Sequence, residues 1–192
     1  MPRGRAFTIT AAAVIGAALA LDEPLHRMAA AHQTRRLDRL AGDVDPFGRA
    51  QYLVPALAAS VALPFALGDR TLAWSALRVS AGYAAADLVG GVLRVAVARH
   101  RPDSTGNAWR FRPLRPQGDW GSMPSAHATH AFAIAGGIAE ESGRPWAAGL
   151  AYGIASLVAM QRVYTRAHWT SDVAVAAAMS TAASRAVIDF QF

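Results

Sequence analysis

The residues best suited to chemistry lie in the stretch Gln161-Arg162-Val163-Tyr164-Thr165-Arg166-Ala167-His168-Trp169-Thr170-Ser171-Asp172, set between two long apolar runs. His168 and Asp172 are four residues apart. A helix that begins near Trp169 or Thr170 stacks their side chains on one face, with Cβ atoms roughly 5–6 Å apart. A carboxylate placed there can accept a proton from one ring nitrogen and leave the other free to act on a substrate. Arg162, upstream across a turn, carries a planar guanidinium fork suited to phosphate oxygens. On residue types alone, the stretch reads equally well as an interfacial loop whose charges face water.

Two further clusters carry matching chemistry: Arg94-Val95-Ala96-Val97-Ala98-Arg99-His100-Arg101-Pro102 and Pro124-Ser125-Ala126-His127. A phosphate monoester dianion repels nucleophiles, so a site that cleaves one must first neutralise its charge. Arg94, Arg101 and Arg162 supply three permanent cations. A helix that starts at Pro124 adds backbone N–H donors near Ser125 and Ala126. With that much fixed positive charge, neither a metal nor another cofactor is needed. In this reading His168, oriented by Asp172, attacks phosphorus to form a phosphohistidine. His127 protonates the leaving alkoxide and then activates the water that hydrolyses the intermediate.

Such a set needs a scaffold, and composition says which. The chain has 192 residues, 53% hydrophobic and 17% charged, too apolar for an ordinary soluble domain. It has no Cys, which excludes disulfides and thiolate chemistry. All 19 basic residues are Arg, and the net charge of +6 fits anionic lipid better than nucleic acid in so apolar a chain. The expected fold is a single all-α, membrane-embedded domain over 1–192. Its six transmembrane helices lie near 6–21, 51–67, 71–98, 124–140, 146–161 and 170–188, with a polar active-site loop between helices 3 and 4. The first run also has the small-residue pattern Ala18-Leu19-Ala20 of a signal cleavage site, but with more spans following, an uncleaved helix is preferred. Residues Pro24–Leu40 read as a helix lying along the membrane surface, and Asp43–Gly48 as a turn. Asp87 lies two turns before Arg94 and can brace it, whereas Arg78 is expected to snorkel or to bond within the bundle. His130, Arg99 and His100 read as structural. All five Trp fall at predicted interfaces, as an aromatic belt requires.

Six spans bring the three clusters to one membrane face. There they resemble the three signature motifs of the type 2 phosphatidic acid phosphatase (lipid phosphate phosphatase) family, related to the vanadium haloperoxidases. The family pattern is Lys-x6-Arg-Pro, Pro-Ser-Gly-His and Ser-Arg-x5-His-x3-Asp, and the match covers roughly Arg94 to Asp172. Arg94 stands for the family Lys, Ala126 for Gly and Gln161 for Ser. These departures alter tuning and leave the His127, His168 and Asp172 set intact. The resemblance implies the same catalytic roles, with Ser125 as a further phosphate contact, and a phosphorylated lipid as substrate. It places the protein in a bacterial-type inner membrane with its site facing the periplasm or exterior, although loop Arg counts favour the cytoplasm.

Rival readings make different demands. A metal-dependent hydrolase would use His127, His130, His168 and Asp172 as ligands, against the repulsion of three arginines. A vanadate-dependent haloperoxidase would share the pocket. A six-span transport or structural protein with an Arg-lined polar site would release no phosphate. The sequence names neither the lipid nor an oligomeric state.

Overall fold

In a computed structural model of the chain, residues 2–102 and 106–190 are described. They form α1 (Pro2–Ala31), α2 (Arg35–Val44), a short 3₁₀ turn (Asp45–Gly48), α3 (Ala50–Ala66), α4 (Arg70–Val97), α5 (Ala126–Ser142), α6 (Pro145–Tyr164) and α7 (Thr170–Asp189). The six helices α1 and α3 to α7 correspond to the six expected spans. The architecture is an all-α bundle whose apolar side chains point outward, with Ile9, Leu63, Phe65, Leu88, Leu150 and Met160 all well exposed. A surface of that kind belongs in lipid. α1 and α4 are each long and apolar enough to cross a bilayer.

The centre of the bundle is α5, whose buried residues are all small apart from His130. Ala128, Ala131, Ala133, Ala135, Gly136 and Gly137 are all buried. In lipid there is no hydrophobic drive between helices, so close backbone approach and interhelical hydrogen bonds must hold them together. A Cβ on Gly137 would sit 3.0 Å from a methyl of Val79 on α4, so glycine permits that approach. On the other side, Ser184 Oγ of α7 donates to Ala133 O of α5 at 2.8 Å. At the end of α5 remote from the candidate site, Arg78 of α4 donates twice to Glu141, at 2.6 and 2.8 Å. Arg78 therefore bonds within the bundle, one of the two outcomes expected for it.

Four expectations are corrected. α1 does not end at Leu21 but runs to Ala31 with Pro24 inside it. Its acidic residue Asp22 is buried against a partner and so does not break the span. The surface helix read over Pro24–Leu40 is accordingly split. Its first part completes α1, and its second is the start of α2, capped by Thr34 Oγ1, which accepts the Leu37 N–H at 3.3 Å. α5 begins at Ala126, two residues later than expected. Finally, Trp169 is not an interfacial Trp: it is 1% exposed, with its indole N–H donating to His100 O at 2.9 Å. Trp74, Trp109 and Trp146 are exposed as expected.

The described residues between Ala98 and Ser125 are ordered by backbone pairing rather than by a helix. Ala98 takes a left-handed conformation, φ 40°, and ends α4. Arg99 then pairs antiparallel with Phe111, and Ser122 N–H returns to Arg99 O at 3.0 Å. This loop, the Asp45–Gly48 turn, the end of α6, the starts of α5 and α7 and the Asp22 level of α1 meet at one end of the bundle.

Candidate active site

The local fold of 161–172 follows the expected pattern. α6 ends at Tyr164, Arg166 turns the chain with φ 55°, and α7 starts at Thr170 behind Trp169. Asp172 lies in the first turn of α7, where its carboxylate Oδ2 accepts the Trp169 N–H at 2.9 Å and is favoured by the helix dipole. His168 Nδ1 lies 3.7 Å from Asp172 Oδ2. The ring has a closer acceptor, the backbone carbonyl of Ser122, at 2.8 Å. A carbonyl can only accept, so Nδ1 carries the proton and Nε2 keeps its lone pair. The orienting group expected from spacing, Asp172, is thus the second neighbour of the ring. Ser122, a residue the sequence did not single out, is the first.

Asp172 is held from below. Its Oδ1 accepts from Arg99 Nη1 at 2.8 Å, and Ser122 Oγ donates to its Oδ2. Arg99 is 0% exposed and fully engaged. Nη2 donates to Asp22 Oδ2 at 2.7 Å, Nη1 to Ser171 Oγ at 2.6 Å, and Nε to Ala108 O at 2.9 Å. The guanidinium also lies between the rings of Phe111 and Trp169, 5.5 Å from each centroid. The expectation that Arg99 is structural is met, although its partners could not be foreseen.

The second half of the site surrounds Arg162 and His127. Arg162 Nε donates to Gln161 Oε1 at 2.5 Å, its Nη2 to Asp45 Oδ1 at 2.5 Å, and its Nη1 lies 3.4 Å from His127 Nε2. His127 Nε2 is also 3.4 Å from Asp45 Oδ1, so this nitrogen sits between a donor and an acceptor. Arg49 Nε donates to the other Asp45 oxygen. Burial alone would raise the Asp45 carboxyl. The Arg49 hydrogen bond and the charges of Arg162, His127 and Arg49 outweigh it and hold the group below its ordinary value. Asp45 and Arg49 lie in and beside a segment the sequence marks only as a turn, and nothing in its composition betrays a site. Their presence also qualifies the count of three free cations, since Asp45 offsets part of the Arg162 charge.

The Asp45–Gly48 turn is clamped against α5. A Cβ on Gly48 would lie 2.7 Å from His127 Cβ, so only glycine fits there. Gly48 O accepts from His130 Nδ1 at 2.8 Å. The other nitrogen of His130 is 3.1 Å from Asp87 Oδ1, and Asp87 Oδ1 also accepts from Arg94 Nη2 at 3.4 Å. Asp87 therefore braces Arg94 as its spacing suggests, and His130 bonds and packs as expected. The His127, His130 and His168 set of the metal-hydrolase reading is not brought together. Among the described residues, no three His, Asp or Glu side chains could hold a metal ion.

The remaining predicted residues are partly as expected. Ser125 N–H is taken by Asp172 O at 3.2 Å, so it is not a free donor for a ligand. Its Oγ is buried and has no partner among the described residues. Ala126 is the first residue of α5, where the helix leaves the backbone N–H without an intrahelical acceptor. Arg94 Nη1 is likewise buried and unpartnered among the described residues. Arg101 is exposed, and its charge is felt at Arg162. Arg94, Ser125 and Ala126 thus carry polar donors without a partner among the described residues, the kind of group that an anion can satisfy.

Residues 75–192 match the model of the PAP2 superfamily. The fold is similar to the transmembrane PAP2 type phosphatidylglycerolphosphate phosphatase of Bacillus subtilis, with TM-score 0.73 and 23% identity over 96% of this chain and 91% of that one. It is also similar to LpxE of Aquifex aeolicus, with TM-score 0.65 and 20% identity over 88% and 95%. No curated protein matches the chain.

Proposed function

This chain belongs to the PAP2 superfamily, and on that footing we propose that it is a membrane lipid phosphatase working through a phosphohistidine without metal. The observation that carries the proposal is the fixed tautomer of His168. Ser122 O accepts a hydrogen bond from the Nδ1–H at 2.8 Å, leaving Nε2 as a neutral nucleophile. Nε2 attacks phosphorus and the bond to the lipid oxygen breaks. His127, poised between Arg162 and Asp45, gives its proton to the departing alkoxide. Water then attacks the phosphohistidine, with His127 taking its proton, and phosphate leaves. Arg94, Arg101 and Arg162, with Ser125 Oγ and the Ala126 N–H, stabilise the charge on the transferring group.

A lipid substrate is favoured by the setting. A cavity of about 570 Å³ lies between α1, α6 and α7, with almost entirely apolar walls that include Leu25, Met28, Val163 and Val173. Thr170 also lines it, two residues from His168, so an acyl chain there would bring its headgroup to the site. The similar Bacillus subtilis protein is a phosphatase of a phosphorylated lipid by name, which makes phosphatidylglycerol phosphate one member of the panel to try. The membrane is taken to be a bacterial-type inner membrane, with the site facing the periplasm or exterior.

The test is phosphate release by detergent-purified protein from a panel of phosphomonoester and diphosphate lipids, with and without EDTA. Release from at least one lipid, unchanged by EDTA, is expected. Loss of release with EDTA and its return with a divalent ion would overturn the metal-free mechanism. No release from any lipid would favour a transport or structural role.

A further inference from the structure

We infer that Asp22, on α1, is a positioning residue for the nucleophile, acting through Arg99 and the first turn of α7; the inference rests on the role proposed for His168. The cluster beneath His168 contains two carboxylates and one guanidinium, with Asp22 1%, Asp172 0% and Arg99 0% exposed. With only Arg99 and Asp172 present, the ion pair at 2.8 Å would cancel most of the Asp172 field at the imidazole. Asp22 engages the same guanidinium at 2.7 Å. The three groups together then carry one net negative charge, placed below the ring. That is the charge a phosphohistidine needs beneath it. When Nε2 bonds to phosphorus while Nδ1 keeps its proton, the imidazole becomes a cation, and the P–O bond to the lipid takes its electron pair away.

Asp22 also fixes geometry. Its Oδ1 accepts the Ser171 N–H at 2.8 Å and its Oδ2 accepts from Ser171 Oγ at 2.6 Å. The Ser171 N–H is one of the donors that the start of α7 leaves without an intrahelical acceptor. A carboxylate there is favoured by the helix dipole, so α1 caps α7 from a distance and holds the turn that carries Asp172. The other ionisable groups around the cluster are accounted for separately. His26 of α1 packs on Trp169 with ring centroids 5.2 Å apart, and Glu23 accepts the Ala108 N–H at 3.3 Å. His127 faces Arg162 and Asp45. The groups that bond Arg99 directly are Asp22 and Asp172, so Asp22 is the carboxylate that leaves the cluster with a net negative charge under His168.

The test compares Asp22→Asn and Asp22→Glu with the parent on whichever lipid the parent hydrolyses best, reading kcat, KM and inhibition by vanadate. An Asn keeps the size but removes the charge. Asp22→Asn is expected to lower kcat about 10- to 100-fold, less than the ~10⁴ lost when the carboxylate directly beside a catalytic His is neutralised. KM and vanadate inhibition should stay within about two-fold, because Arg94, Arg101 and Arg162 are untouched. Asp22→Glu, which restores the charge, should recover most of kcat. An Asp22→Asn enzyme with parental kcat would overturn the inference, as would one in which KM and vanadate inhibition change as much as kcat. If Asp22→Asn does not fold by thermal unfolding in detergent, Asp22→Glu decides alone: folded protein with kcat reduced 10-fold or more refutes the charge argument. Failure of the parent itself on every lipid would refute the proposed function instead, so the two failures are separable.

Discussion

Beneath His168, the charged groups Arg99, Asp22 and Asp172 are paired and out of reach of water; at Arg94 and Ser125, donors are left over among the described residues. Arg99, Asp22 and Asp172 are at most 1% exposed and use their polar atoms on one another. The Arg94 side chain is 23% exposed, with one buried nitrogen unpartnered among the described residues. Ser125 Oγ is in the same condition. The closed half is a support: burying charges costs several kcal/mol per ion unless the geometry is satisfied, and satisfied geometry is rigid. The open half suits the receptor role proposed for it, because a buried donor without a partner is stabilised when an anion arrives. Arg162 lies between these extremes, since Asp45 and Gln161 hold two of its nitrogens while the third faces His127.

This contrast breaks most visibly at Arg99. Arg99→Met would leave two buried carboxylates without a cation, and a loss of about 3–5 kcal/mol in stability is expected, read as a large fall in unfolding temperature in detergent. A variant that unfolds within a degree or two of the parent would mean that water enters the closed half. Arg94→Met should do the reverse. Its partial ion pair with half-exposed Asp87 contributes at most about 1 kcal/mol, so the fold should survive. Loss of a charge-assisted hydrogen bond of ~1.5–3 kcal/mol should weaken vanadate inhibition by roughly 10- to 100-fold. Unchanged inhibition would remove Arg94 from the receptor half. The smallest effect is expected at the boundary. Gln161→Ser removes one hydrogen bond to Arg162, worth about 1 kcal/mol, and a rise in KM of a few-fold should follow. A larger fall in kcat than rise in KM would instead assign Gln161 to the support of His127.

What could be read from the sequence divides along the same line. The motif residues are legible because their chemistry depends on spacing along one element. His168 and Asp172 straddle a helix start, and Asp87 and Arg94 lie two turns apart on α4. The support is built from contacts across the chain, and spacing is silent about those. Asp22 meets Ser171 from 149 residues away, and Asp45 meets Arg162 from 117. Asp22 even misled, since an acid in an apolar run reads as the end of a span until its buried partner is known. Trp169 misled in the same way: an indole near a helix start suggests an interface, yet here it roofs Arg99. The order of the helices was legible throughout, because apolar length alone decides it.

The distance between Asp22 and Ser171 has a bearing on how the protein is made. A chain synthesised from its N-terminus delivers α1 to the membrane long before α7 exists. Asp22 can meet Arg99 once α4 is in place, but its hydrogen bonds to Ser171, and those from Arg99 to Asp172, must wait for the seventh helix. A chain stopped after α6 holds Arg94, Arg101 and Arg162 but lacks Ser171 and Asp172. The cluster beneath His168 is therefore complete only once α7 has joined the bundle, and a chain stopped short of α7 cannot assemble it.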